Sequence, residues 1–187
     1  MFYRERGAQA YGPAAYWVSL WIPQIPMLFM NTLLFCTSLY PLSGLRTDSS
    51  DKFGYFFFIL LLTSYAAMLG AFTVCSIAES TQAALSFFPM FLVFNIVYSG
   101  YLIVLPDLPA WQGDWLPYAC MCRYCFQGLV LNEFQNNEKL QFRTQLINME
   151  GFESISINGC IGLLFLMIGI YGSGLLAALT YIDFEQR

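Results

Sequence analysis

The sequence predicts an all-α integral membrane fold with four transmembrane helices plus a re-entrant or interfacial helical segment in the outer loop. Three observations predict it. First, 58% of the 187 residues are hydrophobic and only 11% are charged, where a soluble domain carries about 25% charged residues; the mean hydropathy is +0.57. Second, the charges are clustered. Uncharged runs of 39, 26, 27 and 29 residues separate Arg6 from Arg46, Lys52 from Glu79, Glu79 from Asp107 and Glu153 from Asp183. A bilayer core of about 30 Å takes roughly 20 apolar helical residues to cross, and each run is long enough. Third, Trp17 and Trp21 sit near one end of the first run, where amphipathic rings anchor a helix at the headgroup level.

Residues 1–15 are polar at first and carry Arg4, Glu5 and Arg6. They read either as a loop before the first span or as a short amphipathic helix lying at the interface. A secretory signal is excluded, because the apolar run that follows far exceeds the roughly 7–15 residues of a signal core. The first span covers about 16–40, with Trp17 and Trp21 near one end and Pro23 and Pro26 inside it. Each proline removes a backbone donor, so a kink is expected near Ile22–Pro26. Pro41, Gly44 and the polar set Arg46 to Lys52 then make a tight turn.

The second span, about 53–78, opens on a Phe/Tyr cluster and continues with small residues four apart: Ala66, Gly70 and Val74, then Ala67, Ala71 and Cys75. Such rows let helix backbones approach closely. Glu79-Ser80-Thr81-Gln82 is so short a link that spans two and three must be antiparallel neighbours. The third span, about 83–105, contains Pro89, Asn95, Ser99 and Gly100. Lipid offers Asn95 no partner, so it should face other helices or a cavity. Pro89, Val93, Ile96 and Gly100, spaced 4, 3 and 4, fall on one helical face.

The outer loop, 106–153, mixes aromatic, Pro and polar residues. Within it, Leu116–Asn132 is apolar with Arg123 near its middle. As a fifth crossing it would hold Arg at mid-bilayer, at a cost of about 2.5–3.5 kcal/mol or more. As a re-entrant or interfacial helix it lets Arg123 reach water, and that is the preferred reading. The last span is about 155–182. Gly169, Ser173 and Ala177 form one small-residue row, Gly174 and Ala178 another, and this face is expected to pack tightly on a neighbour.

Several function classes are excluded outright. The chain has no His, which removes histidine triads and His-rich metal sites. Its two lysines, Lys52 and Lys139, each follow an acidic residue, so neither belongs to a GxxxxGK[ST] phosphate loop. A net charge of −4 without a basic run gives no footing for nucleic acid. Cys120, Cys122 and Cys125 form C-x-C-x-x-C, but with no fourth ligand nearby no metal site is assigned; buried thiols or a disulfide within the loop are the alternatives. Cys36, Cys75 and Cys160 read as core.

Two segments carry a family resemblance. Phe2-Tyr3-Arg4-Glu5-Arg6, followed by Tyr11, Tyr16 and the Pro23/Pro26 helix, resembles the entry to the third membrane helix in the G subfamily of ATP-binding cassette transporters, the white/brown and pleiotropic drug resistance exporters. Ser99-Gly100-Tyr101-Leu102, Leu105-Pro106, Pro109, Trp111, Trp115-Leu116, Tyr118, Arg123-Tyr124 and Asn132-Glu133-Phe134 resemble, in order, a second and more specific run of that family.

The resemblance covers the last four of six family helices, with the first two and the nucleotide-binding domain missing from the chain. It implies a cytoplasmic N-terminus, an outer 106–153 loop and Leu116–Asn132 as re-entrant helices. With a cytoplasmic N-terminus, Arg4, Arg6 and Arg187 lie inside against five basic residues outside, which leans weakly the other way, but upstream helices missing from the chain are expected to set the orientation. One departure is that no Asn-x-Ser/Thr sequon occurs, whereas some animal members glycosylate this loop.

By the same resemblance, Pro89, Val93, Ile96 and Gly100 line a substrate pathway at a dimer axis, with Val93 and Ile96 touching substrate. Tyr101 and Leu102 form the valve, and Arg4 and Glu5 belong to a coupling segment. Glu133 matches the family's acid and is expected to play a structural role in the outer loop with Arg123. The expected function is the membrane-spanning portion of an ATP-driven exporter of hydrophobic or lipid-like molecules. No enzyme activity is expected in the chain itself. It binds no cofactor; ATP and Mg act through the missing nucleotide-binding domain. Expected partners are that domain, a second membrane domain (homo- or heterodimer), the bilayer of a plasma or organelle membrane crossed several times, and a hydrophobic substrate. The alternative is a four-helix membrane scaffold without transport activity.

Overall fold

The computed structural model describes residues 12–45, 50–78, 80–104, 108–134 and 155–182. Among these, 83% are helical and none forms a strand, which makes the chain all-α. The elements are α1 (Pro13–Trp21), α2 (Gln24–Leu42), α3 (Ser50–Ile77), α4 (Thr81–Val97), α5 (Ala110–Gly113), a 3-10 turn (Pro117–Ala119), α6 (Met121–Phe134) and α7 (Ile157–Tyr181). Three stretches, Pro13–Leu42, Asp51–Ile77 and Ile157–Tyr181, are long and apolar enough to cross a bilayer.

Helices α1 and α2 are two halves of one rod, broken at Ile22–Pro23. The turn is closed by Ile25 N donating to Ile22 O at 3.2 Å. Pro26 then falls in the first turn of α2, where amide hydrogens lack intrahelical partners anyway, so its missing donor leaves nothing unsatisfied. Trp17 in α1 ties this rod to α7: its indole Nε1 donates to Gly172 O at 2.9 Å. Trp17, Trp21 and Tyr65 continue as edge-to-face rings, with centroids 5.1 and 6.2 Å apart.

The centre of the molecule is the packing of α3, α6 and α7 around Ile59, Leu62, Ala66, Met121, Tyr124, Cys160, Leu164 and Met167. Small residues set these approaches. A Cβ on Gly128 would come 3.0 Å from Ile59 Cδ1, and one on Gly174 would come 3.4 Å from Thr73 Cγ2. Thr73 Oγ1 also donates across the interface to Tyr171 O at 2.9 Å, a bond with no water to compete for it in hydrocarbon. Helix α3 turns into α4 within three residues, and Gly70 meets the ring of Phe91, as two antiparallel neighbours must. The row Gly174/Ala178 is packed as expected, Ala178 being 6% exposed. The row Gly169/Ser173/Ala177 is not: Gly169 has nothing within 4 Å, and Ser173 and Ala177 are exposed. Cys75, read as core, is exposed as well, whereas Cys36 and Cys160 are buried.

The third apolar stretch differs from its expectation. Helix α4 is 17 residues long, about 25 Å at 1.5 Å per residue, and stops at Val97 instead of running to 105. The cause is a turn built from side-chain and backbone chemistry. Ser99 Oγ donates to Ile96 O at 2.7 Å and accepts from Tyr101 N at 3.2 Å. Gly100 takes φ +88°, a left-handed conformation that favours glycine. At its other end, Ser80 caps α4 by accepting from Ala83 N at 3.2 Å, one of the first-turn amides a helix leaves orphaned.

The outer segment is a string of short pieces: α5 after Pro109, the 3-10 turn, then α6. At 14 residues, or about 21 Å, α6 falls short of a crossing. It lies against α3 and α7, and its far end is fastened to the start of α3. Asn132 Nδ2 donates to Lys52 O at 2.9 Å, and Lys52 Nζ donates back to Asn132 O.

Candidate functional site: the outward face of α4 and its outer turn

Apolar residues cover α4 on all sides, so packing alone decides which face is free. Phe91 and Asn95 point into the bundle: the Phe91 ring stands edge-on to Tyr171 at 6.0 Å, and Asn95 is 1% exposed. Leu85, Pro89, Val93 and Ile96 fall on the opposite side. Val93 is 58% exposed and Ile96 50%, and Pro89 is exposed too. These three predicted pathway residues therefore form one apolar stripe that no described helix of this chain covers. The fourth, Gly100, does not join them. The helix has ended before it is reached, and Gly100 is buried inside the turn.

Tyr101 and Leu102 follow the turn and stand out from the surface, 73% and 59% exposed. Tyr101 rests edge-to-face on Phe126 of α6, centroids 5.8 Å apart. The predicted valve residues thus sit at the C-terminal end of the stripe, with Tyr101 braced by α6. Arg4 and Glu5, the predicted coupling pair, lie outside the described residues.

Arg123 and Glu133 do not form the expected pair. Ten residues separate them along one helix, a rise of about 15 Å. Arg123 is instead buried, 4% exposed, with its guanidinium 4.2 Å from the centre of the Tyr118 ring. With Tyr118 48% exposed, that cation–π contact is worth about 0.5–2 kcal/mol. Tyr118 is held in place by its own carbonyl, which accepts from Tyr124 Oη at 2.8 Å. The 3-10 turn and α6 are thereby folded onto each other around the cation.

The three outer cysteines are unbridged. The Cys120 thiol donates to Asn95 O at 3.0 Å, and its hydrogen bond with Cys122, reinforced by burial, pushes its ionisation far above the ordinary thiol range. Desolvation raises Cys125 to about 11. Cys120 and Cys125 are thus protonated, inert thiols, whereas the hydrogen bond with Cys120 lowers the pKa of Cys122. What sequence reading missed is the position of Asn95. It joins α4 to the start of α6 through Cys120 and through Met121 N, which donates to Asn95 Oδ1 at 3.1 Å. The only signal was an Asn in an apolar helix, which announces a partner without naming it.

Among the described residues no acidic or thiol cluster could hold a metal ion; the arrangement is an apolar helix with an exposed apolar stripe, ending in a turn clamped to the buried helix α6. The family model for the ABC-2 type transporter matches residues 1–134. The chain belongs to that family. Among curated relatives, ABC transporter G family member 7 of Arabidopsis thaliana is 35% identical over 131 residues, which is 70% of this chain and 18% of that protein. Member 31 of the same plant is 25% identical over the whole chain, 14% of its own length. Member 21 of Dictyostelium discoideum is 23% identical over 73% of the chain, 10% of its length. The chain thus spans less than a fifth of each of these relatives. This ABC-2 chain is a transporter membrane domain, and the scaffold reading is set aside. The G-family resemblance read from the Ser99–Phe134 run and the Phe2–Tyr16 segment agrees with these relatives.

Proposed function

We propose that this ABC-2 chain is the membrane-spanning portion of an ATP-driven exporter of hydrophobic or lipid-like small molecules. It supplies the translocation surface and works as a dimer that alternates access around the stripe on α4. The observation that carries the reading is the stripe itself. Pro89, Val93 and Ile96 are uncovered in the single chain, apolar along their length, and lead to Tyr101 and Leu102 at the outer end. An apolar wall without fixed hydrogen-bond donors holds a hydrophobic cargo by contact alone, which suits a surface that must also release it.

Hydrolysis is assigned to a nucleotide-binding partner. This chain's own residues do not fit a nucleotide phosphate, since Lys52 follows Asp51 and Lys139 follows Glu138. Its own contribution is to receive movement, and by the family resemblance Arg4 and Glu5 are where it is received. The multi-pass protein resides in a plasma or organelle membrane.

The test is substrate-stimulated ATPase activity of the full gene product in lipid nanodiscs, with a panel of sterols, long-chain lipids and flat hydrophobic drugs. Stimulation by at least one of them is expected, together with a raised KM when Val93 or Ile96 is changed to Asp. Indifference to every hydrophobic compound, with stimulation by small polar solutes, would refute the substrate class.

A further inference from the structure

Asn95 uses its polar atoms in two directions. Along its own helix, Nδ2 donates to Phe91 O at 3.0 Å. Across to the outer segment, Oδ1 accepts from Met121 N at 3.1 Å, and the main-chain carbonyl accepts from the Cys120 thiol at 3.0 Å. Met121 is the first residue of α6, and its amide is one of the four that a helix start leaves without an intrahelical acceptor. A membrane helix therefore supplies the cap of the re-entrant helix, from 26 residues away.

Four residues after Asn95 the chain enters the Ser99–Gly100 turn. Tyr101 then rests on Phe126 of the same helix α6, centroids 5.8 Å apart. The turn is bracketed: Asn95 grips the start of α6 on one side and Tyr101 leans on its second turn on the other. Ser99 locks the segment between them through Ile96 O and Tyr101 N. Moving Asn95 away from α6 would strand its buried side-chain oxygen and the Met121 amide, which is costly away from water.

We infer that Asn95 is a positioning residue for the outer gate: it fastens the last turn of α4 to the start of α6, so that the Ser99–Gly100 turn and Tyr101 move with α6 as one body. When the pathway helices separate, the outer segment is carried with them, and Tyr101 keeps its orientation towards the end of the stripe. The geometry stands independently of any activity; the consequence for gating rests on the transport reading.

The experiment uses the full-length transporter in lipid nanodiscs and compares Asn95→Leu with Asn95→Asp. A buried aspartic acid stays protonated, so it keeps one acceptor for Met121 N and one O–H for Phe91 O. Two readouts are taken. Maleimide labelling of Cys120, followed by mass spectrometry, reports whether the grip on α6 has opened; Cys120 is fully buried in the intact protein. Labelling should rise about tenfold in Asn95→Leu, as local opening becomes easier, and stay at the wild-type level in Asn95→Asp. Substrate-stimulated turnover should lose kcat by about fivefold in Asn95→Leu with KM little changed, the pattern of a lost step rather than lost binding, and Asn95→Asp should restore it.

A second pair isolates the same bond if Asn95→Leu does not fold. Met121→Pro removes the amide donor at a helix position where proline is well tolerated, and Met121→Ala keeps the donor while removing the same side chain. Only the proline variant should expose Cys120 and lower kcat. Unchanged Cys120 labelling in Asn95→Leu, or increased labelling with unchanged kcat, would overturn the inference. A wild-type protein that turns over no hydrophobic substrate, with Cys120 still exposed by Asn95→Leu, would instead defeat the transport reading and leave the grip itself established.

Discussion

The approach of α3 to α4 at Gly70 makes a sharp prediction, because a neighbouring glycine in another helix provides its control. A Cβ added at Gly70 would lie 2.7 Å from Phe91 Cζ and 3.3 Å from Cε1, closer than carbon atoms tolerate. The ring must swing away. Doing so breaks its edge-to-face contact with Tyr171 at 6.0 Å, worth about 0.5–1.5 kcal/mol, and strains its new seat by about 1–3 kcal/mol. Against this, replacing a helical glycine by alanine gains about 1 kcal/mol. Gly70→Ala should therefore destabilise the protein by about 0.5–3.5 kcal/mol, the two losses less the helix-propensity gain. At Gly169 nothing lies within 4 Å, so Gly169→Ala keeps only the favourable part. In detergent, thermal unfolding followed by loss of the monodisperse chromatographic peak should show Gly70→Ala several degrees lower, at about 2–4 °C per kcal/mol, and Gly169→Ala equal to wild type or higher. Equal melting of the two variants would refute the antiparallel contact of α3 with α4 through Phe91, and with it the direction in which the stripe on α4 faces.

Two further outcomes follow from the packing. Trp17→Phe keeps the ring but removes the bond to Gly172 O at 2.9 Å; a loss of about 0.5–1.5 kcal/mol is expected, seen as easier proteolysis or amide exchange of α1 while α3 stays protected. Desolvation lifts the Cys125 thiol to about 11, above its ordinary value near 8.5. The folded form thus holds this proton more tightly than the unfolded chain, so its contribution to stability is complete below the unfolded pKa and is lost as pH rises through about 11. Alkylation of folded Cys125, which is partly buried, should stay slow at pH 8 and accelerate only toward pH 11, whereas a Cys125 that reacts at pH 7 like a free thiol would contradict its desolvation.

Much of the fold was legible because hydrocarbon imposes simple demands. Charge-free runs gave three stretches long and apolar enough to cross, while the fourth holds only the 17-residue α4, and two prolines three residues apart gave the break at Ile22–Pro23. Arg123 at mid-segment suggested a helix that lets it reach water, yet it is 4% exposed and buried against the Tyr118 ring. What remained hidden depends on tertiary packing. Apolar pattern continues smoothly past Val97, so nothing in it reveals that Ser99 and a left-handed Gly100 end α4 there, removing Gly100 from the predicted row. The expected Arg123–Glu133 pair neglected that both lie on one helix about 15 Å apart along its axis, and that an aromatic face, Tyr118, serves the cation instead. Two rows of small residues on α7 look alike in sequence, yet only Gly174/Ala178 meets α3. Of the candidate site, the apolar stripe on α4 was foreseen. The grip of Asn95 on Met121 and Cys120 was not, because a lone Asn specifies a need for a partner and not its address.

The stripe on α4 bordering a shared pathway between two copies is the central claim, and inter-copy crosslinking tests it most directly. Val93→Cys and Ile96→Cys variants of the full-length protein in membranes, treated with a short bis-maleimide, should each give a covalent dimer absent from the parent carrying the six native cysteines. Protection of those dimers by a transported hydrophobic compound would complete the account. Cysteines at 93 and 96 that react only with lipid-soluble reagents and never link two copies would place the stripe against lipid and contradict it.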